Sequence, residues 1–338
     1  MSELMTTTYS MWRLFRNCRM ACKWRYIDEL VPLERDPNLA FGSVIHDCLE
    51  CWHGERDLAK VLDHIDRTYP NRAQDDHQQA DWHLARAMMS AYAEHYPAEA
   101  FEVVALEKTF EGPIVNPATG ATSRSFILAG KVDGIVRQDG QYFLLEHKTA
   151  AQIDASYLER LWTDFQIIIY AWFLEQTLGI TVSGIIYNVL VKAKLRQGKG
   201  ETEAEFEARR AELIAKSKTG KSSAKRKLPE DDETFQQRLQ EKYLEPGMFH
   251  REVLYISRDQ FEELRAELWE LSKAMLDARR RDTFYRNTSY CFQYGRPCAY
   301  FQLCRSGGNP NVIENHFQRI APHEELRDGA GEDAAPVF

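Results

Sequence analysis

The stretch GKVDGIVRQDGQYFLLEHKTA, Gly130 to Ala150, decides how this chain is read. Two runs rich in β-branched and aromatic residues flank Asp139-Gly140, a strong signal for a tight hairpin turn. Yet Asp133, Glu146 and Lys148 lie inside the strands, and charge in a sheet core is costly unless it is paired. Side chains alternate along a strand, so Glu146 and Lys148 share a face with Leu144, while Phe143, Leu145 and His147 point the other way. Across the hairpin, Asp133 and Glu146 can converge. Two facing carboxylates repel, and one takes up a proton unless a cation sits between them. A divalent metal answers this: Mg²⁺ binds through one or two carboxylates and keeps waters for a phosphate. Lys148 beside it would hold a phosphate oxygen or the attacking water, which suits metal-assisted phosphodiester hydrolysis. The alternative is an ordinary ion pair of Glu146 or Asp133 with Lys148 on a solvated sheet face.

The rest of the chain places this hairpin in an α/β pattern. Residues 1–38 are basic, aromatic and Cys-bearing. Residues 39–100 read as helical: Val44, Ile45, Leu49, Trp52 and Leu58 recur near the helix period, and DWHLARAMMSAYAEHY is a second amphipathic helix stopped by Pro97. Residues 101–195 hold strand-length runs, then YLERLWTDFQIIIYAWFLEQTLG, a single buried helix closing at a C-terminal Gly. Residues 196–232 form a charged insertion, expected to be partly helical and partly disordered. Residues 233–285 add a strand and an amphipathic helix that ends on Arg279, Arg280 and Arg281. Residues 286–305 are Cys-rich, and 306–338 are expected to be a mobile tail.

With 338 residues and 44% hydrophobic content, the chain can form one embellished domain or two. Its net charge of −8 excludes a uniformly basic coat for nucleic acid but not a local basic groove. No run approaches the ~20 apolar residues of a membrane span, and no apolar signal core opens the chain, so a cytoplasmic protein without a membrane partner is expected. In that compartment the seven cysteines are metal ligands or free thiols rather than disulfides. TGKSS at residues 219–223 imitates a phosphate loop, but Ala215 stands where its first Gly is required, so no nucleotide cofactor is expected.

Further motifs lie to either side of the hairpin. Gln166 and Tyr170 are four apart on one face of the buried helix, and His46 follows Gly42 with three residues between. In order, Gly42-x3-His46, Asp133, Glu146-x-Lys148 and Gln166-x3-Tyr170 resemble the PD-(D/E)XK nuclease superfamily in its RecB-like branch. That branch is similar to nuclease domains of bacterial helicase–nucleases, CRISPR-associated RecB-like exonucleases and many phage exonucleases. The resemblance implies a restriction-endonuclease-like α/β core: a central mixed sheet flanked by helices, with a helical N-terminal region. It implies that Asp133, Glu146, His46 and the backbone carbonyl of His147 ligate Mg²⁺ or Mn²⁺. Lys148 would orient or activate the hydrolytic water, and Gln166 and Tyr170 would position DNA and support Lys148. The chain departs from the pattern at KVD, where the superfamily name has Pro-Asp. Glu107 is expected to be structural, with a supporting role behind the site as the alternative.

CFQYGRPCAYFQLC places Cys291, Cys298 and Cys304 at a spacing looser than zinc-ribbon knuckles. The resemblance implies a [4Fe–4S] cluster held by one N-terminal and three C-terminal cysteines, joining both termini. Cys18 fits the register, with Cys22 in reserve; structural Zn²⁺ on the same thiolates is the alternative. Cys48 and Cys51 read as core residues. Arg13, Arg16, Arg19, Lys23 and Arg25 interleave with Trp12, Phe15 and Trp24, and lysines crowd the insertion. Both patches suit phosphate contact and base stacking, or else form solvated charged faces. The expectation is a metal-dependent DNA exonuclease in recombination, repair or phage DNA processing, working by one-step hydrolysis and with any helicase or recombination protein as a separate partner. A structure-specific endonuclease and a non-catalytic DNA-binding or scaffold protein are the rivals.

Overall fold

The structure, a computed structural model, describes residues 4–34, 37–293, 295–323 and 326. The chain opens with β1 (Met5–Thr7), α1 (Tyr9–Asn17), α2 (Arg19–Cys22), a π-helical turn over Lys23–Ile27, and β2 (Leu30–Pro32). Three helices follow: α3 (Pro37–Glu55), α4 (Leu58–Thr68) and α5 (Asp76–His95). Next come β3 (Glu102–Val115), β4 (Thr122–Gln138), β5 (Gln141–Ala150), α6 (Ala155–Leu161), α7 (Phe165–Leu178) and β6 (Val182–Val191). The insertion carries α8 (Glu203–Lys216); α9 (Asp232–Tyr243), β7 (Phe249–Tyr255) and α10 (Arg258–Arg281) complete the core. The last elements are β8 (Phe292–Gln293), β9 (Arg296–Pro297), α11 (Phe301–Arg305), α12 (Pro310–His316) and β10 (Phe317–Arg319).

The decisive hairpin forms. β4 and β5 pair antiparallel around Asp139 and Gly140, whose φ values of 52° and 78° are those a two-residue primed turn requires. β5 and β6 run parallel, linked by the α6–α7 crossover that such a pairing needs, and β7 closes the edge antiparallel. The sheet order is β1-β4-β5-β6-β7, with β3 antiparallel on β4. This is the mixed sheet flanked by helices expected from the sequence.

β4 is long enough to serve two partners along one edge. β1 pairs with residues Phe126–Leu128 and β5 with Gly134–Gln138, leaving residues 129–133 between them. The sheet therefore opens beside Asp133. Over one face, α1, α7 and α10 build a core from Trp12, Phe126, Tyr170, Tyr187 and Phe261. A second core joins α3, α5 and α9 through Phe41, Leu49, Tyr92 and Leu239.

Three local readings differ from expectation. The apolar run after the hairpin is two helices, not one, because Asp164 caps α7 by accepting from the Gln166 N–H and so starts a new helix there. The helical region 39–100 holds three helices, with Asp57 and Asp75 as N-caps for α4 and α5. Residues 306–319 are not a tail: α12 and β10 fold back, and β10 pairs antiparallel with β2, Phe317 opposite Pro32. The rest of the expected mobile tail, residues 324, 325 and 327–338, lies outside the described residues. In the charged insertion, Thr202 and Glu205 form a capping box for α8, and Glu201 accepts from Arg209 and from the Lys227 N–H, folding the segment back on itself.

Two glycines give opposite expectations. A Cβ on Gly184 would lie 2.1 Å from the backbone oxygen of Leu254 across the β6–β7 pairing, which cannot move without breaking the ladder. Gly184→Ala should cost at least about 1–3 kcal/mol. A Cβ on Gly54 in α3 meets only the Leu106 side chain at 3.5 Å. Gly54→Ala should be neutral or stabilise by about 0.5–1 kcal/mol. Urea midpoints of the two variants check both signs.

Candidate active site

The β4–β5 ladder ends with Gly134 opposite Leu145, so Asp133 and Glu146 are the next residues on the two strands, at the opening. Both carboxylates are sequestered, the Glu146 side chain 6% and that of Asp133 17% exposed. Each has its own partners. Asp133 Oδ2 accepts from the His147 N–H at 2.7 Å and lies 3.3 Å from His46 Nδ1 on α3. Glu146 Oε1 accepts from Lys148 Nζ at 2.7 Å. Lys148 also donates to Gln166 Oε1 at 3.4 Å and stands 4.0 Å from Asp164 Oδ2.

The electrostatics follow from that division. Burial pushes the Glu146 carboxyl above the ordinary range; Lys148 opposes the rise and Asp133 reinforces it. Burial alone would also raise Asp133, but the His46 charge and hydrogen bond, helped by the His147 N–H, hold it well below the usual range. His46 is pushed up to about 9: burial would lower it, and Asp133 outweighs that. Lys148 is held above its ordinary value, since Glu146 and Asp164 outweigh its burial, so it remains an ammonium at neutral pH. The cost of charge in the strands is therefore offset by two cations in place, one for each carboxylate.

α7 brings its own residues to the same face. Tyr170 stands one turn beyond Gln166, bonds to it, and packs so closely that a Cβ on Gly130 would lie 3.0 Å from the Tyr170 ring. Asp164, which the sequence reading missed, joins the site from its capping position, accepting from Tyr9 Oη and Tyr187 Oη, each at 3.4 Å. An N-cap Asp two residues before Gln166 was the available signal.

A buried polar network lies behind the other face of β5, and no sequence signal marks it. His147 stacks on His53, ring centroids 5.3 Å apart and 7° from parallel. Asn188 Nδ2 contacts His147 Nδ1 at 3.0 Å and Tyr92 Oη at 3.0 Å. Arg251 donates to Tyr92 Oη at 2.9 Å and to Glu99 at 2.5 and 3.1 Å. Glu107 pairs with Lys131 on the strands beside Asp133, and its φ of 47° is unusual for a residue with a Cβ.

The cysteines fall into separate places in the fold. Cys18, Cys291, Cys298 and Cys304 line one pocket between the two termini. Burial raises the Cys298 thiol, the Tyr300 N–H opposes the rise, and the other three thiols add to it. Cys22 lies elsewhere, fully buried with its Sγ 3.7 Å from the Met11 carbonyl oxygen. Cys48 is in the core and Cys51 packs beside it. The termini are tied around the pocket by Asn287 donating to the Asn17 carbonyl at 2.7 Å and Tyr300 Oη to that of Leu30 at 2.9 Å. Among the described residues, no three His, Cys, Asp or Glu side chains are placed to hold a single metal ion directly.

A mixed sheet presenting Asp, Glu-x-Lys and a Gln-x3-Tyr helix on one face defines a nuclease-type core. Residues 6–305 match the PD-(D/E)XK nuclease superfamily. The chain belongs to that superfamily, which implies a nuclease with DNA as its substrate class. No curated protein matches the chain. It is similar to the crystal structure of SSO0001 at 15% identity, over 61% of this chain and 72% of that one, with a TM-score of 0.21. Among the described residues no helix is long and apolar enough to cross a membrane.

The histidine stack yields a pH prediction. Burial lowers His53 to about 4, with Glu99 opposing and Arg251 assisting. The unfolded chain, with His near 6.5, then binds this proton first as pH falls, so the stability present above about 6.5 is lost toward pH 4. Between pH 7 and pH 5 the wild type should lose about 2 kcal/mol more than His53→Gln does, measured by urea unfolding at the two pH values.

Proposed function

We propose that this chain is a metal-dependent DNA exonuclease of the RecB-like kind, acting in recombination, repair or phage DNA processing. The observation that supports it best is the buried pair Asp133 and Glu146 with Lys148 on the same sheet face, where the edge of β4 opens. The donor types suit a hard cation: two carboxylates line the opening with an imidazole beside Asp133, and Glu146 sits above its ordinary pKa, a strain that a bound cation would relieve. Asp133, Glu146, His46 and the His147 carbonyl would hold Mg²⁺ or Mn²⁺. Bound there, the ion would supply charge to a phosphate oxygen and acidify a water.

The chain's own groups do the rest. Lys148, as a fixed ammonium, stabilises charge growing on the phosphate and holds the water in line rather than abstracting its proton. Gln166 keeps the Lys148 Nζ in place, and Tyr170 braces Gln166 while positioning DNA. Among the described residues no nucleophile–base pair stands in the site, and our reading is hydrolysis in one step. Cys18, Cys291, Cys298 and Cys304 would hold a [4Fe–4S] cluster. Four thiols lining a shared cavity match the number of thiolates that such a cluster takes.

The test is degradation of end-labelled single-stranded, duplex and covalently closed circular DNA in Mn²⁺ by protein purified anaerobically. Linear DNA should be degraded and closed circles spared, with Glu146→Ala and Lys148→Ala slower by at least about 100-fold. Cutting of closed circles would replace the reading with an endonuclease, and binding without any cleavage with a non-catalytic module. For the cluster, Cys291→Ser should lose the protein's iron while Cys22→Ser keeps it; equal iron in both would refute the ligand assignment.

A further inference from the structure

A second cavity, of about 440 Å³, opens beside the Cys pocket and is lined by Phe15, Arg16, Arg19, Leu271, Tyr285 and Arg286, among others. Its charge is unusual for a chain of net −8. Several arginines elsewhere are paired with carboxylates, as Arg56, Arg137, Arg238 and Arg251 are. Among the described residues, neither Arg19 nor Arg286 has a carboxylate partner. Arg16 has one, Glu267 at 2.9 Å, in a half-exposed pair. The Arg19 guanidinium is held between two rings, 4.8 Å from the centroid of Phe15 and 4.6 Å from that of Tyr285. Tyr285 is 59% exposed, so its ring has surface left for a further stacking partner.

This cavity is joined to the active site by α1. Tyr9, at its start, donates to Asp164 beside Lys148. Arg16, two turns on, lies over the ring of Phe165, which precedes Gln166. At the helical rise, Arg16 stands about 10 Å along α1 from Tyr9. Unneutralised cations beside an exposed aromatic face are what a single strand needs: phosphates meet the arginines and a bare base stacks on the ring. A duplex hides its bases from such a ring. We propose that the Arg19–Tyr285–Arg286 groove is a binding subsite for single-stranded DNA on the path that leads to the active site. This rests on the nuclease reading for the identity of the substrate.

The test separates the two. Binding of fluorescein-labelled oligothymidylate is measured by anisotropy in EDTA, over a series of salt concentrations, with wild type, Tyr285→Ala, Tyr285→Trp and the Arg19→Gln/Arg286→Gln double variant. Hydrolysis of bis(p-nitrophenyl) phosphate in Mn²⁺, a substrate too short to reach the groove, reports the active site, and iron content with melting temperature reports the fold. Tyr285→Ala should weaken binding about tenfold and Tyr285→Trp should restore it. The double variant should lower the slope of log affinity against log salt by about 1.4, at about 0.7 per phosphate contact. The short substrate should be hydrolysed equally by all four proteins. Wild-type affinity in both groove variants would overturn the subsite, as would loss of short-substrate hydrolysis alongside binding. Weakened binding in a protein that hydrolyses nothing would leave the subsite standing and remove the nuclease reading instead.

Discussion

Two carboxylates stand where the sheet opens, each neutralised by a different cation. Asp133 is secured by His46 and the His147 N–H, and Glu146 by Lys148. Without these partners, two negative charges within buried strands would repel across the hairpin and suffer the full cost of desolvation. The arrangement works because β4 changes partner at this point. β5 pairs with it up to Gly134 and β1 resumes only at Leu128, so the polar groups meet an opening in the sheet rather than its interior. The surrounding helices are arranged to serve this opening: α3 delivers His46, and α7 delivers Gln166 and Tyr170.

Precision at the opening comes from behind it. The N-cap that starts α7 also places Asp164 near Lys148, so helix initiation and electrostatic tuning share one side chain. On the far side of β5, the chain from Arg251 and Glu99 through Tyr92 and Asn188 to His147 locks the residue between the two catalytic candidates. These bonds hold His147, which donates the backbone bond that orients Asp133. The N-terminal segment and the last described strand are joined by the β2–β10 pairing.

Much of this was legible because short-range rules govern it. Period-two alternation put Glu146 and Lys148 on one face, and Asp139-Gly140 set the register that brings Asp133 to Glu146. Four-residue spacing put Gln166 and Tyr170 together. Other features were illegible for equally physical reasons. Asp164 read as part of an unbroken apolar helix until its side chain was seen to cap the next one. Arg251 and Glu99 are 152 positions apart, so nothing local couples them. The fold-back of α12 and β10 depends on an edge offered by β2, some 285 residues earlier, which a Gly- and Asn-rich segment does not announce.

The most direct measurement of the central claim is calorimetric titration of Mn²⁺ into the wild type and into Asp133→Asn, in buffers of different ionisation enthalpy. The wild type should bind the ion with release of protons, because His46 and Glu146 both hold theirs above the ordinary pKa and both would give them up to a ligating role. Asp133→Asn should lose that binding while melting cooperatively. A wild type that binds no Mn²⁺, or a variant that binds it as tightly with the same proton release, would contradict the assignment of this carboxylate pair as the metal-holding heart of the site.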